Sequence, residues 1–395
     1  MRSLHYTNGN HITLLRGNTE YFPALETAIN KAHSRIYIET YIFAHDNIGI
    51  LIIEALKQAA KRGVMVHLLL DGFGSQDFPQ EIVKEMLNAN IQVLIFRQEI
   101  SPFRLSRNRL RRMHRKLAVI DGDIAFIGGI NIIDDPRSPK LLSPRLDFAI
   151  SIVGPLQFEI YLAAKHLWML VAWARFKKRW TDDPPMLYQT RKSLSDQRGA
   201  FLIRDNFHHR HDIEEAYLDA ITKASSEIII ANAYFLPGTN FRRALNNAAK
   251  RGVNVTLLLQ GITEHPLQYY ATHALYDNLL SAGIKIYEYN HSYLHAKVAV
   301  IDRCWSTVGS SNIDPFSLLL AREANVVVVD KSFATELQMT LTHLIDHEAV
   351  EVFREKWKKK SWFSRTVNWA SYYIIRIFWS LVGYNQENNN ANSKK

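Results

Sequence analysis

A twelve-residue stretch of this chain returns with ten of its residues unchanged, and that repeat constrains the fold more than any other feature. Ala59-Ala60-Lys61-Arg62-Gly63-Val64-Met65-Val66-His67-Leu68-Leu69-Leu70 returns as Ala248-Ala249-Lys250-Arg251-Gly252-Val253-Asn254-Val255-Thr256-Leu257-Leu258-Leu259, 189 positions later. Each copy reads as a helix end, a glycine stop and a buried strand. Upstream, Ile36–Phe43 and Ile228–Phe235 read as strands, each followed by a helical stretch (Ile48–Ala60 and Phe241–Ala249). Ile91–Phe96 and Ile284–Tyr289 add a further strand to each copy. Strands alternating with helices at this spacing predict an α/β architecture with a largely parallel or mixed sheet. A period near 190 is too long for a solenoid, so the chain is expected to hold two duplicated domains.

The polar, proline-containing stretch from Thr181 to Gly199 is the expected linker. It divides a first domain over residues 1–180 from a second over 200–355. A basic, aromatic segment follows over 356–385, and then a polar tail over 386–395 expected to be disordered. The helical stretch Leu156–Trp180, aromatic-rich and ending in Lys177-Lys178-Arg179, is expected to pack between the halves, with a membrane contact as the alternative. At 47% hydrophobic and 22% charged, the 395 residues can bury a core, which excludes wholesale disorder. The net charge of +10 calls for an anionic partner: nucleic acid, anionic lipid or a phosphate-bearing substrate. A lone cysteine, Cys304, excludes a disulfide framework and a thiolate-clustered metal site. The N-terminus lacks a secretory signal, and no segment offers about 20 uninterrupted apolar residues. A soluble or peripheral chain beginning in the cytoplasm is the expectation.

The duplication extends to polar residues. His114-Arg115-Lys116 leads through Asp121 to Gly128-Gly129-Ile130-Asn131, and His295-Ala296-Lys297 leads through Asp302 to Gly309-Ser310-Ser311-Asn312. Both read H-x-K-x4-D-x6-G-[GS]-x-N. On a strand, residues i and i+2 share a face, so each histidine is expected beside its lysine. Across a pseudo-twofold axis, two imidazoles and two ammoniums would converge on one pocket. Such a pocket suits a phosphodiester: one imidazole attacks phosphorus, the other protonates the leaving alcohol, and cations and amides neutralise the phosphoryl charge. The glycines and Ser310 are expected to let backbone approach the phosphate. A neutral nucleophilic histidine needs an acceptor on its other nitrogen. Asp147 and Glu323, 33 and 28 residues after His114 and His295, are the candidates.

With this motif the chain resembles the phospholipase D superfamily. Finer features resemble the bacterial cardiolipin synthases, closest to the short B type: Ile38-Glu39-Thr40-Tyr41-Ile42-Phe43, Arg112-Met113-His114, Ala231-Asn232-Ala233-Tyr234-Phe235-Leu236-Pro237-Gly238 and Ile286-Tyr287-Glu288-Tyr289. Gly309–Pro315 and Glu323–Val328 extend the likeness. The resemblance implies two similar phospholipase D-like α/β domains related by a pseudo-twofold axis, with the active site between them. It also implies phosphatidyl transfer through a phosphohistidine, without metal or cofactor. His114 and His295 would be nucleophile and general acid/base, with His114 the nucleophile by family habit. Lys116, Lys297, Asn131 and Asn312 would hold phosphate oxygens, and Asp121 and Asp302 would support the motif geometry. Phosphatidylglycerol is the implied donor and acceptor, with phosphatidylethanolamine or another alcohol as alternative acceptors. No nucleic acid partner is expected, and oligomeric state is left open. One departure stands at Leu320-Ala321-Arg322, where the family pattern has an asparagine near Ala321. Two other activities share the motif: a phospholipase D-type hydrolase or nuclease, disfavoured because two motifs stand in one chain, and a non-catalytic membrane-binding module.

A lipid substrate requires access to a membrane. Lys358, Lys359 and Lys360 lead into Trp362 and Phe363 and then an aromatic stretch interrupted by Arg376. At helical spacing Phe363, Val367, Ala370, Ile374, Ile377 and Leu381 share one face, while Arg365, Trp369, Tyr372, Arg376 and Trp379 lie towards the other. That pattern predicts an interfacial helix on an anionic leaflet, at the cytoplasmic face of the bacterial inner membrane. Each adjacent lysine adds about 1 kcal/mol near anionic lipid. The alternative is a helix docked on the enzyme itself or on a dimer partner. Arg104, Arg107, Arg109, Arg111 and Arg112 form a basic loop suited to steering anions. His208, His209 and His211 lack matching carboxylate spacing and are not taken as metal ligands.

Overall fold

In the computed structural model the described residues are 4–98, 111–134, 144–176, 195–359 and 361–383. The first half comprises β1 (Thr7–Arg16), α1 (Gly17–Lys31), β2 (Arg35–Thr40), α2 (Asn47–Lys61), β3 (Met65–Asp71), α3 (Gln80–Asn88), β4 (Ile91–Phe96), β5 (Leu117–Ile120), β6 (Ile124–Gly128), β7 (Phe148–Val153) and α4 (Pro155–Ala174). The second comprises β8 (Gln197–Arg204), α5 (Asp212–Lys223), β9 (Glu227–Asn232), α6 (Thr239–Lys250), β10 (Asn254–Gln260), α7 (Pro266–His273), α8 (Tyr276–Ser281), β11 (Lys285–Tyr289), β12 (Lys297–Ile301), β13 (Trp305–Gly309), α9 (Pro315–Leu319), β14 (Glu323–Val329), α10 (Lys331–Glu348) and β15 (Ala349–Glu351). Two helices follow, α11 (Arg354–Lys358) and α12 (Trp362–Gly383).

The strands form one mixed sheet in the order β15-β11-β10-β9-β12-β13-β14-β8-β1-β7-β6-β5-β2-β3-β4. Reading outward from the β8–β1 join, the two halves repeat the same strand order. This is the pseudo-twofold arrangement that the repeat implies. In each half the parallel strands (β2-β3-β4 and β9-β10-β11) run in one direction and the motif strand pairs antiparallel beside them.

The doubled Lys-Arg-Gly is explained locally. Gly63 and Gly252 both adopt φ +90°, which reverses the chain from helix into strand at little steric cost. The preceding arginine ties that helix end to the previous one: Arg62 donates to the carbonyls of Ile29 and Ala32, and Arg251 to those of Ile221 and Ala224. α1, α2 and α3 bury Leu25, Ile52, Leu56 and Met86 against one face of the first half, and α5 to α8 cover the second half likewise. On the opposite face α4 and α10 lie in a core common to both halves, where Trp168 and Ile150 join the same cluster as Val298 and Leu337. α4 therefore packs between the halves as expected, although its described helix ends at Ala174.

One boundary and one helix face differ from the sequence expectation. β8 begins at Gln197, inside the expected linker, because Gln197 and Gly199 pair with Asn10 and Thr7 of β1. The remainder of that linker up to residue 194, the arginines at 104, 107 and 109, Lys360 and the tail over 386–395 lie outside the described residues. α12 lies along α7 and buries Asn368, Ser371, Tyr372 and Ile375. Tyr372, grouped in the sequence with Arg365, Trp369 and Arg376, is buried, and its hydroxyl accepts from Arg242 and Arg376. Phe363, Ile374 and Ile377 remain exposed.

Candidate active site

His114-Arg115-Lys116 and His295-Ala296 lie just before their strands rather than on them, since β5 starts at Leu117 and β12 at Lys297. The reason is that their backbone pairs across the join between halves. The His114 N–H donates to the Arg322 carbonyl at 2.9 Å and the Arg322 N–H to the Arg112 carbonyl at 2.8 Å. The symmetry-related pair is His295 N–H to the Leu146 carbonyl at 2.8 Å and Leu146 N–H to the Tyr293 carbonyl at 2.9 Å. Isolated parallel bridges join Met113 to Arg322 and Leu146 to Leu294. Each motif is anchored at its other side by a buried side chain at the end of β3 or β10. Met113 N–H donates to Asp71 at 2.8 Å, and Leu294 N–H to Gln260 at 2.9 Å.

The acids cross the join. His114 Nδ1 stands 2.9 and 3.1 Å from the two carboxylate oxygens of Glu323, and His295 Nδ1 stands 2.5 Å from Asp147 Oδ2. Chain order pairs each acid with the histidine of its own half; the fold pairs it with the other. All four side chains are buried. Burial pulls the His114 imidazole below its usual pKa against the pull of Glu323, and pulls His295 well below, with Lys297 and Arg145 adding to the effect. Burial pushes the Asp147 carboxyl up to about 6, with Lys297 opposing. Both imidazoles are therefore neutral near pH 7. With Nδ1–H donated to the acid, each Nε2 lone pair is left to the cleft.

The G-[GS] positions serve these acids. A Cβ on Gly129 would lie 2.3 Å from Asp147 Oδ1. At the equivalent position the Ser310 hydroxyl donates to Glu323 Oε2 at 2.5 Å. Close backbone approach to a phosphate, the sequence expectation, gives way to seating a carboxylate.

Lys116 and Lys297 are fully buried, each donating to the carbonyl of its own histidine. Lys116 Nζ also lies 5.2 Å from the Tyr41 ring centroid, and Lys297 Nζ is 3.9 Å from Asp147. Burial pulls Lys116 well below the ordinary lysine range and Lys297 to about 8. Ammoniums held at this cost are suited to an anionic oxygen. An open cleft of about 400 Å³ is lined by Asn18, Ile42, Ile130, Asn131, Ile133, Arg145, Asp147 and His295. Asn131 Oδ1 accepts from the Ile42 N–H at 3.1 Å. Asn312 is buried, and its Oδ1 has no hydrogen-bond partner among the described residues.

Asp121 and Asp302 stand at the far ends of β5 and β12, away from the imidazoles. Asp121 accepts the backbone N–H groups of His33, Ser34 and Arg35, each at 2.8 Å. Asp302 does the same for Ser225, Ser226 and Glu227. Burial raises the Asp302 pKa, but those N–H groups outweigh it and bring the carboxyl to about 2. The two aspartates lock the motif strand to the start of its neighbour and do not touch the reacting groups.

Three side chains at the site were not singled out in the sequence. The Tyr41 ring meets His114 edge-on with centroids 4.8 Å apart. Arg145 pairs with Glu264 at 2.7 Å, and Tyr234 donates to the same carboxylate at 2.9 Å. Asp314 caps α9 through the Ser317 N–H, and burial pushes its carboxyl up to about 7. Tyr41 and Asp314 sit within quoted motifs, but only the tertiary pairing reveals their role. Arg112, assigned to the steering loop, is instead buried in a bidentate pair with Asp71. His209 pairs with Asp212 at 2.7 Å, and His211 stands 3.9 Å from Glu214. Among the described residues no group of three or more His, Cys, Asp or Glu side chains is arranged to hold a metal ion. Cys304 is half-buried in the turn between β12 and β13.

The sequence model of the cardiolipin synthase, PLD-like domain family matches residues 25–136 and 217–345, one copy in each half. The chain is 38% identical to cardiolipin synthase B of Shigella flexneri over 388 residues, covering 96% of this chain and 91% of that one. Cardiolipin synthase B of Escherichia coli K12 is 37% identical with the same coverage. The cardiolipin synthase of Halalkalibacterium halodurans is 28% identical over 90% of this chain and 69% of its own. In fold, the chain is similar to the phosphatidylserine synthase of Haemophilus influenzae, with a TM-score of 0.70, 13% identity and 95% of each chain covered.

Proposed function

The chain belongs to the cardiolipin synthase family of the phospholipase D superfamily, and we propose that it transfers a phosphatidyl group from phosphatidylglycerol to the hydroxyl of a second phosphatidylglycerol. The Nε2 of one imidazole attacks the donor phosphorus. The phosphorus–oxygen bond to glycerol breaks, and the other imidazole, which takes up a proton at Nε2 as the anionic phosphate binds beside it, gives that proton to the departing alkoxide. The same imidazole then takes the proton of the acceptor hydroxyl as that oxygen attacks phosphorus and the phosphorus–nitrogen bond breaks. Cardiolipin and glycerol are the products. Lys116, Lys297, Asn131 and Asn312 hold the non-bridging phosphate oxygens, where positive charge and amide N–H groups stabilise the developing negative charge. The observation that carries this reading is the pair of buried, neutral imidazoles, each held at Nδ1 by an acid from the opposite half.

Among the described residues, no helix is long and apolar enough to cross a membrane. We place the chain peripherally on the cytoplasmic face of the bacterial inner membrane. There the exposed side of α12, with Lys358, Lys359, Trp362, Phe363, Trp369 and Arg376, meets anionic lipid. Phosphatidylethanolamine is the alternative acceptor, and we take residues 1–180 and 200–355 as the two domains, with β8 reaching back to Gln197.

The test is turnover of phosphatidylglycerol vesicles by the purified protein. Cardiolipin and glycerol are expected in equal amounts, with His114→Ala and His295→Ala each lowering the rate by at least about 10³-fold. Labelled lipid is expected to leave a phosphorylated histidine. Release of phosphatidic acid without cardiolipin would sink the transferase assignment.

A further inference from the structure

The parallel strands of both halves point their C-terminal ends at the catalytic histidines: Glu39 near the end of β2 faces Leu117, three residues after His114. The segments leaving those ends ring the mouth of the cleft, and they carry large exposed apolar side chains. Phe73 follows β3 and lies under the Arg112 guanidinium. Trp173 and Phe176 close α4, where Arg175 donates to the Ile95 carbonyl at the end of β4. Phe207 follows β8, whose last residue Arg204 is in register with Glu323. Leu267 and Tyr270 are on α7, beyond β10. Trp173 is 69% exposed, Phe176 89% and Phe207 66%. The turns at the opposite end of the sheet carry His33, Ser34, Arg62, Gly63, Asp121, Asp123, Ser225, Ser226, Arg251 and Arg303 instead. Of the two ends of the sheet, the catalytic end carries the exposed apolar side chains; others, such as Met339 and Leu162, lie on helix faces.

The charge there is complementary to an anionic surface. Asp71 is taken by Arg112, Glu39 by Arg115 and Glu264 by Arg145. Arg97 and Arg175 are exposed, and the half-buried Arg322 guanidinium makes no hydrogen bond or ion pair among the described residues. A protein covering this ring would close the cleft that substrate must enter. A fluid lipid surface would fill it with headgroups.

We propose that the catalytic mouth is itself a bilayer-docking face: Phe73, Trp173, Phe176, Phe207, Leu267 and Tyr270 enter the headgroup–acyl boundary of an anionic membrane, and Arg322 takes a lipid phosphate. This surface extends beyond α12, which lies along α7. It rests on the phosphatidyl-transfer reading only for the identity of what enters the cleft.

The test uses the full chain with phosphatidylglycerol–phosphatidylethanolamine vesicles, with phosphatidylcholine vesicles as the neutral control. Partition by sedimentation is measured beside the ratio of turnover on vesicular to turnover on monomeric short-chain phosphatidylglycerol. The double variant Trp173→Asp/Phe176→Asp is expected to weaken partition about ten-fold and to lower the turnover ratio by a similar factor. Phe207→Asp, on another segment, is expected to move both in the same direction, and decides the matter if the α4 variant does not fold. Wild-type partition in both rim variants, with binding lost in Ile374→Asp on α12, would overturn the proposal. So would rim variants that break up an oligomer in lipid-free solution, since a second copy would then own the surface. If the wild type turns over neither form of lipid, the transfer reading falls, and partition alone still decides whether the mouth docks.

Discussion

Glu323→Gln isolates the cross-half arrangement in one buried position. Glu323 is fully buried and meets His114 Nδ1 at 2.9 and 3.1 Å, while its Oε2 accepts from Ser310 at 2.5 Å. The amide keeps the shape and removes the charge. When His114 becomes an imidazolium during transfer, the carboxylate beside it contributes about 4 kcal/mol at an effective dielectric of about 20. Losing that contribution lowers the rate about 10³-fold. The amide also offers an N–H where only an acceptor serves, which favours the wrong tautomer. Two measurements check the reasoning. Cardiolipin formation reports the rate. Proton NMR reports the low-field imidazole N–H signals, the His114 signal being the one absent from His114→Ala. Glu323→Gln is expected to remove the His114 signal and leave that of His295. Loss of the His295 signal instead, or a rate loss under about ten-fold, would refute the crossing.

The remaining predictions concern the same machinery. The rate should fall in acid as Asp147 is protonated near pH 6, because a neutral carboxyl no longer takes the Nδ1–H of His295, and in base as Lys297 loses its proton near pH 8. A kcat–pH profile flat through both values counts against both assignments. Gly129→Ala places a methyl group 2.3 Å from Asp147 Oδ1 and displaces the carboxylate from His295. A loss of at least about 10²-fold in kcat with an unchanged circular dichroism spectrum is expected, and normal turnover would disprove the seating role. Asp121→Ala strips three backbone N–H groups of their acceptor, at about 1 kcal/mol each. The expected signature is a lower Tm with kcat per folded molecule changed only a few-fold, and a collapse of kcat at unchanged Tm would return Asp121 to the chemistry.

What was legible in the sequence was whatever repeats locally. The Lys-Arg-Gly stop recurs because one backbone turn and one arginine tether recur. Buried runs such as Leu68-Leu69-Leu70 report strands covered on both faces. His114 and Lys116, or His295 and Lys297, announce a site because packing gives no reason to double them. The partner of each acid was not legible, since separation along the chain says nothing about which half faces it. That is decided by how the halves meet, in the common α4–α10 core and through the backbone pairs at Arg322 and Leu146, with the β8–β1 edge adding register pairs at Thr7, Asn10, Gln197 and Gly199. The same gap explains the motif histidines. Their N–H groups bond to Arg322 and Leu146, so they fall outside strands that a period-2 pattern would extend. On α12 the helical wheel groups Tyr372 with the exposed Trp369 and Arg376, whereas the aromatic surface around Tyr276 and Trp357 takes it in.

The crossing makes the active site and the domain join one structure. β1 and β8 alone hold the halves weakly, with two register pairs and an irregularity between them. Asn10 reinforces that edge, donating to the Thr7 and Gln197 carbonyls and accepting from Leu156 N–H. The relative placement of the halves is then set by the common α4–α10 core and by the paired ladders at Arg322 and Leu146. Burying Asp147, Glu323, Lys116 and Lys297 together is favourable only when each charge keeps its partner, and breaking one buried pair costs several kcal/mol. A rotation of one half would separate both histidines from their acids at once and leave four ionisable groups uncompensated. The desolvation that tunes the imidazoles for chemistry is thus the same force that penalises every other arrangement of the two halves.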